Sequence, residues 1–171
     1  MKQFVKKVSL IGEGGSGKTS LIRRFVESSF NDQYIHTIGV NVKKKSITFP
    51  EHDIDASLMI WDLQGQRNDT YIFSHMFKTE GAFIVCDITR DTTLTGVPLW
   101  ANILEKELRM KVPTVILANK ADLMDEAVVS EDQLKYVGTQ LNAPFIYTSA
   151  KTGQNVELAF KYLAKWMLGI K

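Results

Sequence analysis

Between an apolar run and a segment of helical period lies Gly12-Glu13-Gly14-Gly15-Ser16-Gly17-Lys18-Thr19, which fits the pattern G-x-x-x-x-G-K-T. This is a phosphate cradle. Its glycines let consecutive N–H groups turn toward phosphate oxygens, and the helix that follows presents the positive end of its dipole. The Lys18 ammonium is placed to neutralise β- and γ-phosphates, and the Thr19 hydroxyl to ligate Mg²⁺. Alone, the motif fits a nucleotide kinase or an ATPase equally well, so the base has to be read elsewhere.

Asn119-Lys120-Ala121-Asp122 follows a second apolar run and supplies a carboxylate able to accept from two adjacent donors. Guanine presents N1–H and its 2-amino group side by side, whereas adenine has no such pair and would leave a desolvated carboxylate unpaired. Thr148-Ser149-Ala150-Lys151 closes the last apolar run, where the Ala150 amide is placed to donate to the guanine O6. In this order the three elements specify a guanine nucleotide, GTP or GDP, with Mg²⁺.

Strands and helices must alternate to position these loops, and the apolar patterning predicts that they do. Strands are expected at Phe4 to Ile11, Val40 to Phe49, Ile54 to Asp62, Gly81 to Asp87, Pro113 to Asn119 and Pro144 to Ser149. Helices are expected at Lys18 to Glu27, Asn68 to Phe77, Leu94 to Arg109, Glu131 to Leu141 and Gln154 to Met167. The short link Pro50-Glu51-His52-Asp53 leaves no room for a crossover helix, so the second and third strands should form an antiparallel hairpin. The expectation is an α/β P-loop NTPase fold: a six-stranded, mostly parallel sheet with one antiparallel strand and helices on both faces. Every motif then falls at the carboxyl end of a strand, where such sheets bind ligands. In the last helix Val156, Phe160, Leu163 and Met167 form a core-facing stripe.

At 171 residues, 44% of them hydrophobic and 23% charged, the chain fits one folded domain over residues 1–171. A net charge of +2 with interspersed signs argues against a nucleic-acid partner. The single cysteine, Cys86, lies within an apolar strand and reads as a small core residue, consistent with a reducing cytoplasm. No run approaches the roughly 20 apolar residues of a membrane span. The amino terminus lacks the pattern of a signal peptide or a myristoylation site, and the chain as written has no carboxyl-terminal cysteine to prenylate, so no direct lipid anchor is expected.

In order, spacing and context these motifs resemble the Ras superfamily of small GTPases, most closely its Rab-like branch, from Val5 to Trp166. The resemblance implies nucleotide contacts from Gly14, Gly15, Ser16, Gly17, Lys18, Thr19, Ser20, Gly65, Asn119, Lys120, Asp122, Ser149, Ala150 and Lys151. It further implies that Phe30 stacks on the guanine and that Thr37 is the switch I threonine, a Mg²⁺ ligand only when a γ-phosphate is present. Asp62-Leu63-Gln64-Gly65-Gln66 resembles the element that opens switch II, with Asp62 holding Mg²⁺ through a water, Gly65 sensing the γ-phosphate and Gln66 orienting the attacking water. Thr37, Gln66 and Lys18 are thus implicated in hydrolysis, and exchange factors, GTPase-activating proteins and effectors are implied as partners of the switch segments. Trp61 itself reads as core packing and Arg67 as a solvated surface residue.

Several positions depart from the Rab pattern: Leu63-Gln64 and Arg67-Asn68 follow different types, and Val42 and Met76 stand where Rabs carry aromatic members of an effector-facing triad. These departures bear on partner choice rather than on nucleotide chemistry. A GTP-binding interaction module that scarcely hydrolyses its nucleotide is the alternative reading. A small-molecule kinase would bring lid arginines and a separate acceptor pocket, and nothing in this sequence marks either one.

Overall fold

A computed structural model describes residues 1–31, 33, 38–67 and 70–171. Thr37 lies outside the described residues. The strands are β1 (Lys2–Ile11), β2 (Val40–Phe49), β3 (Ile54–Leu63), β4 (Gly81–Asp87), β5 (Thr114–Asn119) and β6 (Phe145–Thr148). The helices are α1 (Lys18–Glu27), α2 (Thr70–Ser74), α3 (Asp91–Leu108), α4 (Glu131–Leu141) and α5 (Val156–Leu168). The six strands form one sheet in the order β2-β3-β1-β4-β5-β6, and only the β2/β3 pair is antiparallel. The expected architecture is therefore present.

Alternation along the central strands divides the interior in two. Phe83 and Val85 of β4 join Val8, Leu10, Val115 and Leu117 on the side of α1 and α5, while Ala82, Ile84 and Cys86 join Ile11, Ile116 and Ala118 on the side of α2, α3 and α4. Because both faces are covered, β4 is apolar at nearly every position. Asp87, which ends it, is fully buried. Cys86 is a core residue, as expected, and burial pushes its thiol up to about 12. Val156, Phe160 and Leu163 are buried in the first core with Met167 packed against them, which confirms the α5 stripe.

The edge strand β2 carries Lys43, Lys44 and Lys45 and buries only Ile47 and Phe49. Such lysines discourage pairing with a foreign strand. Its hairpin with β3 closes through a single 3₁₀ turn, Pro50–His52. A second 3₁₀ segment, Ala121–Glu126, follows β5. Neither has enough residues to show a period in the sequence.

The helix expected at Asn68 to Phe77 is shorter, and Asn68 and Asp69 are outside the described residues. After Ser74 the chain tightens to i→i+3 bonds at His75, Met76 and Phe77. Lys7 Nζ, reaching over from β1, donates to the His75 and Phe77 carbonyls at 2.6 and 2.8 Å. These carbonyls therefore have a partner without a continuing helix. The same ammonium lies 3.9 Å from the centroid of Trp61, which is half-buried against the second core. Met76 is fully buried, so the aromatic surface triad of the Rab pattern has no counterpart at this position.

Candidate functional site

The loops after β1, β3, β5 and β6 converge on a cleft of about 280 Å³. Its lining includes Gly14, Gly15, Gly17, Lys18, Thr19 and Ser20 at one end, Asn119, Lys120, Asp122, Ala150 and Lys151 at the other, with Phe30 and Gly65 also on its wall. Residues more than a hundred positions apart in sequence thus face one ligand-sized space.

At the phosphate-cradle end Lys18 is nearly buried, and its Nζ donates to the carbonyls of Gly12 at 2.9 Å and Glu13 at 3.0 Å. Burial depresses its pKa to about 8, against the opposing charges of Asp62 and Glu13. Thr19 Oγ1 donates to Asp62 Oδ2 at 2.5 Å, while Asp62 Oδ1 is buried without a hydrogen-bond partner. Burial raises the Asp62 pKa, opposed by the Thr19 bond and the Lys18 charge. A hydroxyl and a carboxylate with an unsatisfied oxygen form the sparse protein contribution that suits Mg²⁺, which takes its remaining ligands from phosphate and water. Among the described residues no cluster of His, Cys, Asp and Glu forms a metal cage.

Gly65 sits where nothing larger fits. A Cβ there would lie 2.4 Å from the Gly14 nitrogen and 2.8 Å from the Gly12 carbonyl oxygen, so the backbone after β3 is pressed against the cradle. Arg67 pairs with Glu13 at 2.7 Å, so this surface arginine ties the same segment to the cradle. Gln66 is exposed beside Gly65 and does not line the cleft. Gln64 makes a two-way link to the start of β2: its N–H donates to the Gly39 carbonyl at 3.2 Å, and its side-chain oxygen accepts from the Gly39 N–H at 3.0 Å. Gln64→Ala removes the second bond and is expected to cost about 1 kcal/mol, roughly 2–4 °C in Tm for a chain of this size. Calorimetry checks this, and an unchanged Tm would show that the bond adds nothing.

At the other end, Asn119 is a buried staple. Its amide donates to the Ser16 carbonyl at 3.0 Å and its oxygen accepts from Thr148 Oγ1 at 3.2 Å, joining the cradle, β5 and β6. Lys120 turns back with a left-handed backbone, and its ammonium pairs with Asp87 Oδ2 at 2.6 Å. Asp122 Oδ1 accepts from Ser149 Oγ at 2.6 Å. Neither Ser16 nor Ser149 lines the cleft directly: Ser16 bonds Asn119 through its carbonyl, and Ser149 bonds Asp122 through its hydroxyl.

Sequence reasoning missed Arg24, whose Nε donates to the Ala150 carbonyl at 2.7 Å and whose Nη2 donates to that of Lys151 at 2.5 Å. It also missed Arg23, Asn31, Gln33 and Leu123 on the cleft wall. For Asp87 a signal was available, since a carboxylate that ends an apolar strand requires a partner.

A family model described as the Ras family matches residues 7–169. The chain belongs to the Ras family. Among its relatives are the Ras-related protein Rab-1 of Theileria annulata, 35% identical over 95% of this chain and 74% of that protein, and the Ras-related protein Rab-1D of Dictyostelium discoideum, 36% identical over 95% and 79%. The GTP-binding protein ypt1 of Schizosaccharomyces pombe is 34% identical over 95% and 79%. As a Ras-family small GTPase the protein binds guanine nucleotide and hydrolyses GTP, and its family generally employs Mg²⁺ and regulatory partners. Among the described residues no helix is long and apolar enough to cross a membrane.

Proposed function

We propose that this chain, folded as one domain over residues 1–171, is a cytoplasmic GTP/GDP switch of Rab-like trafficking or signalling that hydrolyses GTP slowly on its own. The observation that carries this reading is the meeting of Lys18, the Thr19–Asp62 pair and Asp122 around one cleft. The main-chain amides of Gly14 to Lys18 would receive phosphate oxygens, and the Lys18 ammonium, which here donates to the Gly12 and Glu13 carbonyls, would neutralise the β- and γ-phosphates. Thr19 and Asp62 would hold Mg²⁺, Asp62 through a water, joined by Thr37 when the γ-phosphate is present, and the bound ion would supply charge neutralisation at the phosphate oxygens. Asp122, oriented by Ser149, reads guanine, Ala150 donates to its O6, and Phe30 covers its face.

Hydrolysis is in-line attack of water on the γ-phosphorus as its bond to the bridging oxygen breaks, releasing GDP and inorganic phosphate, with charge stabilised by Lys18 and the cradle amides. Gln66 stands outside the cleft, beside Gly65, so the segment must close before it can orient that water. This supports slow turnover by the isolated protein and acceleration by an activating protein. Exchange of GDP and binding of effectors would act through the same segments. Gln66→Leu is expected to leave GTP affinity unchanged and slow single-turnover hydrolysis at least tenfold, a loss of about 1.4 kcal/mol in transition-state stabilisation. An unaltered rate would assign the water to another group.

A further inference from the structure

Arg23 and Arg24 are neighbours on α1 with opposite destinations. A helix turns about 100° per residue, so consecutive side chains leave on different faces. Arg24 is committed to the carbonyls of Ala150 and Lys151. Arg23 falls on the face of Thr19 and Ser20, four and three residues before it, and all three line the cleft.

Of the other cations around the cleft, exposed Lys151 at the guanine end also has a side chain without a partner among the described residues; the rest are engaged. Lys18 donates to Gly12 and Glu13, Lys120 pairs with Asp87, Arg67 with Glu13, and Arg90 donates to the Gly14 carbonyl at 3.1 Å. The carboxylates are engaged too, Asp62 by Thr19 and Asp122 by Ser149. Half-buried Arg23 makes no ion pair or hydrogen bond with the described residues. A guanidinium is always charged and is an avid partner for phosphate. Side chains on a helix also lean toward its amino terminus, which here directs Arg23 back toward Thr19 and Ser20, the phosphate side of the cleft.

We infer that Arg23 is a further nucleotide-binding residue, a second cation beside Lys18 that holds phosphate oxygens of the bound guanosine polyphosphate. The inference rests on the nucleotide reading of the cleft given above. Arg23→Ala should weaken GDP binding about tenfold, mainly through faster release, and flatten its dependence on salt. Arg23→Lys should recover part of the loss, and Arg23→Gln, which keeps the packing of the stem, should behave like the alanine variant.

Titration of GDP and of guanosine into the wild-type and variant proteins, with Mg²⁺ and at several salt concentrations, separates the possibilities. Loss for GDP with guanosine unaffected supports the phosphate contact. Equal loss for both would place the guanidinium against the nucleoside and overturn the inference, as would GDP affinity unchanged in Arg23→Ala and Arg23→Gln. A wild-type protein that binds no GDP would instead overturn the nucleotide reading on which the inference stands.

Discussion

Asp122→Asn is expected to weaken GDP and GTP binding on the order of 10³-fold, about 4 kcal/mol, while creating affinity for xanthine nucleotides. The carboxylate accepts one hydrogen bond from Ser149 Oγ at 2.6 Å and lines the cleft, leaving acceptor capacity for the N1–H and 2-amino donors of guanine. An amide in its place keeps an oxygen for Ser149 but turns an N–H₂ toward the base. Two donors then face each other in a desolvated site, each without its partner. Xanthine carries a carbonyl at position 2, which restores complementarity. Because the Ser149 bond survives, the fold should hold, and equilibrium titration with GDP and xanthosine diphosphate reads the exchange of specificity directly. Unchanged GDP affinity, or a loss for guanine without a gain for xanthine, would remove Asp122 from base recognition.

The parts of this cleft legible in the sequence are those in which one local segment does the work. The cradle can be recognised because its glycines, lysine and threonine are contiguous and lie between a strand and a helix, and the antiparallel hairpin because four residues cannot carry a crossover. The strand Gly81–Asp87 and the helices Lys18–Glu27 and Glu131–Leu141 were bounded as observed, since turn or capping residues mark their ends. Ser130 and Gln133 form a full capping box at the start of α4.

What the sequence hid depends on tertiary contact. The grip of Arg24 on Ala150 spans 126 positions, and nothing local distinguishes it from a solvated arginine. The early end of α2 depends on Lys7, a residue of another strand, filling the carbonyls that a longer helix would have satisfied. Met76 stands at a position that faces effectors in the resembled branch, and only its full burial in the second core shows that it is core here. In each case a side chain from elsewhere decides the local outcome, which is why periodicity alone placed the element but not its boundary or its outward face.

The same distinction between local and distant constraint predicts the effect of Gly17→Ala. Gly17 caps α1 with φ +101, a backbone conformation that costs an L side chain about 1–2 kcal/mol. A Cβ there would also lie 2.2 Å from Asn119 Nδ2. That amide cannot simply swing away: Asn119 is buried and holds the Ser16 carbonyl on one side and the Thr148 hydroxyl on the other. Displacing it breaks the bond that keeps the phosphate cradle in register with the guanine loop, and leaves buried groups unpaired at about 1–3 kcal/mol each. The variant is therefore expected to release GDP at least 100-fold faster and to melt well below wild type. Gly169→Ala supplies the comparison, because Gly169 also has positive φ, at +68, but lies at the end of α5 with nothing within 4 Å of the added carbon. It should lose about 1 kcal/mol of stability and retain nucleotide normally. If Gly17→Ala instead released GDP within about threefold of the wild-type rate, the Asn119 bridge would be dispensable and the two halves of the cleft would be held together by other contacts.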